Sequence, residues 1–139
     1  MIISVFADTA YWIALANPYD QLYSHARKIS SSLGKVRIVT SELVLIELLN
    51  YFADGVPTLR LNAANAVDEI LSSKDAVVIP HSSNAFGNAL QLYRSRQDKG
   101  WSLTDCHSFL LMERHGIDSA LTADRHFEQA GFKALLRQS

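Results

Sequence analysis

The run Ile2-Ile3-Ser4-Val5-Phe6-Ala7 constrains the fold more than any other stretch of this chain. It is apolar at all but one position and stops abruptly at Asp8-Thr9. Side chains alternate between the two faces of a strand, so a run apolar on both faces must be covered on both. That is the pattern of a parallel sheet packed between helices. Three further strands follow at Val36–Val39, Ala76–Ile79 and Asp118–Leu121, and Phe132–Leu136 can add a last one at an edge. Between them lie segments of helical period. Such alternation predicts an α/β fold, a three-layer sandwich with a mainly parallel central sheet.

Helix boundaries come from local chemistry. Ala10–Leu15 reads as a short helix stopped by Asn17-Pro18. Asp20 can cap the next helix, whose apolar side is Leu22, Ala26, Ile29 and Leu33, and Gly34 ends it. Ser41 caps the helix Glu42–Phe52, which is apolar nearly all round and therefore expected to be buried. Thr58–Ser73 should turn Leu61, Ala64, Val67, Ile70 and Leu71 inward. A helix opening at Ser83 or Asn84 should do the same with Phe86, Ala89, Leu90 and Tyr93. A last long helix spans Cys106–His115. Ser102 and Asp105 stand before it at capping-box spacing, with Thr104 as an alternative cap.

At 139 residues the chain fits one domain, residues 1–139, with enough length for a real core. The single cysteine, Cys106, excludes an internal disulfide framework and a cysteine-rich zinc site. No signal peptide or membrane span is read, and the cysteine usage suits a reducing cytoplasm. The net charge of −1 leans against bulk electrostatic binding of nucleic acid. A nucleic-acid function would then need a divalent metal at an acidic site, or a local basic patch. The cluster Arg94-Ser95-Arg96-Gln97-Asp98-Lys99-Gly100 can supply phosphate contacts, although basic residues are also favoured at a helix C-terminus for electrostatic reasons alone.

Four acids stand out. Asp8 and Asp124 each follow a strand, Asp105 opens a helix, and Glu47 sits within an apolar helix. Each has an ordinary structural use: Asp8, Asp105 and Asp124 can cap helices, and Glu47 can pair with a Lys or Arg. In open α/β sheets, however, chemistry gathers beyond the carboxyl ends of the strands. Four carboxylates brought together there would not all stay ionised without a cation. Oxygen-only donors suit Mg²⁺ or Mn²⁺, which can acidify a water and stabilise a phosphodiester's developing charge. Thr9, Ser102, Thr104 and Thr122 flank the acids and could orient carboxylates or water. His107 and His126, each two positions from an acid, are read as packing or surface residues. His25, His81 and His115 lack metal-ligand spacing.

With these residues in view, the chain resembles the PIN-domain nucleases. The elements that carry the resemblance are Phe6-Ala7-Asp8-Thr9, Ser41 with Glu47-Leu48-Leu49, Leu103-Thr104-Asp105, and Ala120-Leu121-Thr122-Ala123-Asp124-Arg125-His126-Phe127. Within that family it is most similar to VapC-type toxins of toxin–antitoxin pairs, over essentially the whole chain. Cys106-His107-Ser108 departs from the small apolar run that follows the third acid in many relatives. The resemblance implies a metal-dependent endoribonuclease with Asp8, Glu47, Asp105 and Asp124 as its acidic tetrad, Thr9 and Thr122 as accompanying hydroxyls, a homodimer, and a small antitoxin partner. The alternative is a non-catalytic interaction module on the same fold. A phosphoryl-accepting receiver or a haloacid-dehalogenase-like phosphatase also places Asp at a strand end. The phosphatase would need a second Asp where Ala10 stands, and the receiver's acidic pair and late Lys are missing.

Overall fold

The computed structural model describes residues 2–137. Its core is a five-stranded, wholly parallel sheet in the order β3-β2-β1-β4-β5. The strands are β1 (Ile3–Ala7), β2 (Val36–Ser41), β3 (Ala76–Ile79), β4 (Ser119–Leu121) and β5 (Lys133–Ala134). Central β1 pairs Val5 with Ile38 on one side and Phe6 with Ala120 on the other. Val5, Phe6 and Ala7 are buried in succession, so both faces of β1 are covered as its sequence demands. The expected last strand is shorter than its apolar run: only Lys133–Ala134 pairs.

Among the described residues, seven helices connect and flank the strands: α1 (Thr9–Ala16), α2 (Tyr23–Ser32), α3 (Glu42–Tyr51), α4 (Pro57–Ser72), α5 (Ser83–Ser95), α6 (Leu103–Arg114) and α7 (Arg125–Gln129). Ser41 caps α3 by accepting from the Val44 amide. Asp20 does not cap α2. It accepts from the Leu22 amide in a turn, and the helix starts at Tyr23. Helix α6 begins three residues earlier than expected because Ser102, not Thr104, is its cap. No helix among the described residues is long and apolar enough to cross a membrane.

Two helices are rotated relative to the expected faces. In α4 the inward residues are Leu59, Ala63, Val67 and Ile70, while Leu61 and Leu71 are each 61% exposed. The Asn62 amide donates to the Ala16 carbonyl at the end of α1, which fixes this rotation. In α5 the inward stripe is Ala85, Ala89 and Leu92, and Phe86 and Tyr93 point outward. Close helix approach selects alanine at the contact and leaves the bulkier side chains outside. Helix α3 is likewise not buried all round: Ile46, Leu49 and Tyr51 are exposed.

The aromatic centre of the core is Phe127, edge-on to Phe109 at 4.9 Å and 6.4 Å from Phe6. It anchors α7 beneath the ends of β1 and β4. On the other side of β1, buried Thr40 donates to the Ala7 carbonyl at 2.9 Å and accepts from the Trp12 indole at 3.3 Å. Thr40→Val keeps the shape but strands these polar groups, which should cost about 1–3 kcal/mol. Urea unfolding should show a lower midpoint at unchanged slope; an unchanged midpoint would refute the role given to this hydroxyl.

Candidate active site

From β1 the chain moves outward through β2 and β3, then returns to add β4 and β5 on the other side. The reversal leaves a crevice between the carboxyl ends of β1 and β4, the usual position of a ligand site in an open α/β sheet. Asp8 follows the end of β1 there. Its backbone is extended, as at a helix cap, but its side chain makes no capping hydrogen bond. The carboxylate instead accepts from the Thr122 hydroxyl at 2.9 Å, while the Asp8 amide donates to the Leu121 carbonyl. Capping is therefore not what this carboxylate does.

Thr122 is fully buried and works in both directions. It donates to Asp8 and accepts from the Asp124 amide at 3.1 Å. Asp124 caps α7, its Oδ1 accepting from the His126 amide at 2.9 Å. Asp105 completes the capping box of α6: its Oδ2 accepts from the Ser102 amide at 3.0 Å, and its own amide donates to the Ser102 hydroxyl at 2.9 Å. Glu47 lies half-buried on α3 and accepts from the Thr9 hydroxyl at 2.6 Å. Among the described residues it has no Lys or Arg partner. A depression of about 430 Å³ opens beside it, lined by Thr9, Ile13, Glu47, Asn50 and Tyr51. Thr104 sits in the first turn of α6 and, among the described residues, its side chain forms no hydrogen bond in this cluster.

The acids influence one another. Burial pushes the Asp8 carboxyl up to about 6; the Thr9 amide and Thr122 hydroxyl oppose this, and the negative charges of Asp105 and Glu47 add to it. Asp105 is also raised, mainly by burial and further by Asp124, against hydrogen bonds from Ser102 and His126. These couplings draw Asp8, Glu47, Asp105 and Asp124 into one electrostatic cluster.

His126 belongs to the site, contrary to its reading as a packing or surface residue. Its Nδ1 lies 3.0 Å from Asp105 Oδ2 and 3.2 Å from Asp124 Oδ1. The rule that residues two apart diverge holds inside a helix. Asp124 precedes the helix, and its turn folds back onto His126. A strand-end Asp-x-His at a helix cap was the available signal. His107 is buried, as the packing reading requires; burial and nearby His81 lower its pKa. The donor atoms of Asp105, Asp124 and His126 lie within 4.8 Å of one another and could hold a metal ion. A groove of about 750 Å³ along α5 and α6 contains none of the four acids.

The chain matches the family model of the PIN domain over residues 5–133. It is 27% identical over 136 residues to proteins described as 23S rRNA-specific endonuclease VapC20 from two strains of Mycobacterium tuberculosis, CDC 1551 / Oshkosh and ATCC 25618 / H37Rv. Those matches cover 92% of this chain and 95% of each relative. Among solved structures, that of Mycobacterium tuberculosis VapC20, described as a sarcin-ricin loop cleaving toxin, is similar with a TM-score of 0.82 at 26% identity. It covers 92% of this chain and 95% of that one.

The raised Asp8 pKa has a consequence for stability. An acid whose folded pKa lies above its unfolded value binds its proton more tightly in the folded state. Stability is then fully present below pH 3.8 and falls as pH rises to about 6. For Asp8 the loss is on the order of 3 kcal/mol at neutral pH. Without divalent metal, Asp8→Asn should therefore be more stable than the wild type at pH 7, with the gain vanishing near pH 4. Chemical denaturation at the two pH values measures this; equal gains at both would contradict it.

Proposed function

This chain belongs to the PIN-domain family, and on that premise we propose that it is a metal-dependent endoribonuclease, the toxin of a toxin–antitoxin pair. The observation that carries the reading is the convergence of Asp8, Glu47, Asp105 and Asp124 at the β1–β4 crevice without a Lys or Arg partner among the described residues. A scaffold has no use for mutually repelling acids there, two of them more than nine-tenths buried. That weighs against the non-catalytic module.

The donors fit a hard divalent cation. They are oxygen-rich, close together, and held by neutral hydroxyls and amides rather than by cations. Asp8, Asp105 and Asp124 would hold Mg²⁺ or Mn²⁺, with Glu47 joining directly or through water. When bound, the ion neutralises the acids, stabilises charge on the phosphodiester and acidifies a water. The chain's own residues supply position. Thr122 fixes the direction of Asp8, and Thr9 holds one oxygen of Glu47, leaving the other to orient the attacking water or take its proton. Ser102 locks Asp105 through the capping box. Water adds to phosphorus as the 3′-oxygen leaves, giving a 5′-phosphate and a 3′-hydroxyl.

Two features bear on partners. Lys99, and Arg96 on exchanging its 3.0 Å pair with Asp98 for a phosphate, lie on the loop whose Gly100 neighbours His126 and give RNA phosphates a basic approach to the acids. Exposed Ile46, Tyr51, Leu61, Phe86 and Tyr93 provide apolar surface for a homodimer and a small antitoxin. The working compartment is the cytoplasm, and residues 1–139 act as a single domain.

Purified protein is tested on a mixed RNA pool and on 23S rRNA, the target in the name of its relatives, with Mg²⁺ or Mn²⁺ and with EDTA. Cleavage should require the metal and fall at least about a thousandfold in Asp8→Asn, the scale of losing a principal charge-stabilising group. The variant should keep its circular dichroism spectrum. Cleavage by Asp8→Asn at saturating metal would overturn the assignment. A folded wild type that neither cuts RNA nor binds a divalent ion would favour the interaction module.

A further inference from the structure

We infer that His126 is a metal ligand alongside Asp105 and Asp124, and that its imidazole makes this site prefer Mn²⁺ to Mg²⁺. The inference rests on the reading of the acid cluster as a cation site and adds to it the identity of the ion.

The geometry is that of donors sharing one ion. His126 Nδ1 stands 3.0 Å from Asp105 Oδ2 and 3.2 Å from Asp124 Oδ1. Neighbouring donors on an octahedron with bonds of about 2.1 Å are about 3 Å apart. A surface histidine meeting one acid needs no such arrangement. Here one ring nitrogen is shared between two acids from different elements, one in the first turn of α6 and one at the cap of α7.

The ring is also held in place. Its residue's amide donates to Asp124 Oδ1, which ties the start of α7 to the acid. On the far side, Nε2 faces Gly100, where an added Cβ would come within 3.8 Å of it. The imidazole is thus enclosed between the α5–α6 loop and the two carboxylates, with 24% of its side chain exposed. Without metal, a ring N–H at Nδ1 can serve both carboxylates. Ligation would use the Nδ1 lone pair, with the ring proton on Nε2, on the side of the loop.

The chemistry then sets the choice of ion. Mg²⁺ favours all-oxygen surroundings and sheds water reluctantly. Imidazole nitrogen raises affinity for first-row transition ions, and carboxylates with one imidazole suit Mn²⁺ while keeping its hard-ligand character. Asp8 and Glu47 contribute only oxygen. A purely oxygen site would not discriminate in this way.

The whole 139-residue chain, stripped with EDTA and dialysed, is titrated calorimetrically with MnCl₂ and separately with MgCl₂, as wild type and as His126→Gln. Glutamine keeps a hydrogen-bond donor for the acids but removes the nitrogen ligand. Mn²⁺ affinity should fall at least about tenfold, the lower end of losses seen even for outer-shell partners. Mg²⁺ affinity should stay within about threefold. Pulsed electron paramagnetic resonance of the Mn²⁺-loaded wild type should show a directly bonded nitrogen, and this reading does not depend on the variant folding. Equal losses for both ions, or Mn²⁺ bound without nitrogen coupling, overturn the proposal and leave His126 as a hydrogen-bonding support. Failure of the wild type to bind either ion overturns it together with the cation-site reading.

Discussion

The site depends on keeping one buried carboxylate in place. Asp8 lies where the sheet excludes water, and burial opposes its charge. Its position is fixed from both neighbouring strands. Thr40 of β2 holds the Ala7 carbonyl just before it, and Leu121 and Thr122 at the end of β4 hold its amide and its carboxylate. Thr122 then passes the constraint on to Asp124 through that residue's amide. A short relay of hydroxyls and amides thus ties the order of the sheet to the spacing of the acids. The hydroxyls are uncharged, so they direct the carboxylates without neutralising them. The cluster's charge remains available to a cation.

Much of the architecture was legible because its causes are local. A strand apolar on both faces must lie inside a sheet, and Ser41 and the Ser102–Asp105 pair carry cap chemistry that shows in the sequence itself. The faces of α4 and α5 were not legible. Both helices carry apolar residues on more than one side, so period alone does not choose among them. The choice is made by helix crossings that need Ala63 and Ala89, contacts between segments distant in sequence. The four acids were legible by type and by place in the chain. His126 was not: the divergence of residues two apart belongs to helix interiors, and Asp124 stands before the start of α7. Thr104 carried the same local signal as Ser102, and only the start of α6 separates them.

Concavity was a poor guide here. Grooves of about 750 and 610 Å³ lie along α5–α6 and along α1–α4, away from the tetrad. Beside Glu47 there is only an open depression. Enclosed apolar pockets suit small ligands, whose surface must be largely buried to bind well. A polymer gains its affinity along its backbone and needs only one phosphodiester brought to the acids. A shallow acidic rim with basic residues on an adjoining loop suits that kind of substrate.

The four acids are not equally free to change. Asp124 also caps α7, and Asp105 completes the capping box of α6 by accepting from the Ser102 amide, so their carboxylates hold these helix starts as well as the site. Asp8 and Glu47 cap nothing. At Asp105, relief from burying a charge is offset by the loss of the reciprocal capping-box bond from the Ser102 amide. At Asp8 no such offset exists, and giving up the acid is downhill for the fold. Substitution at Asp8 would therefore leave the starts of α6 and α7 intact, so the shape can outlast this carboxylate.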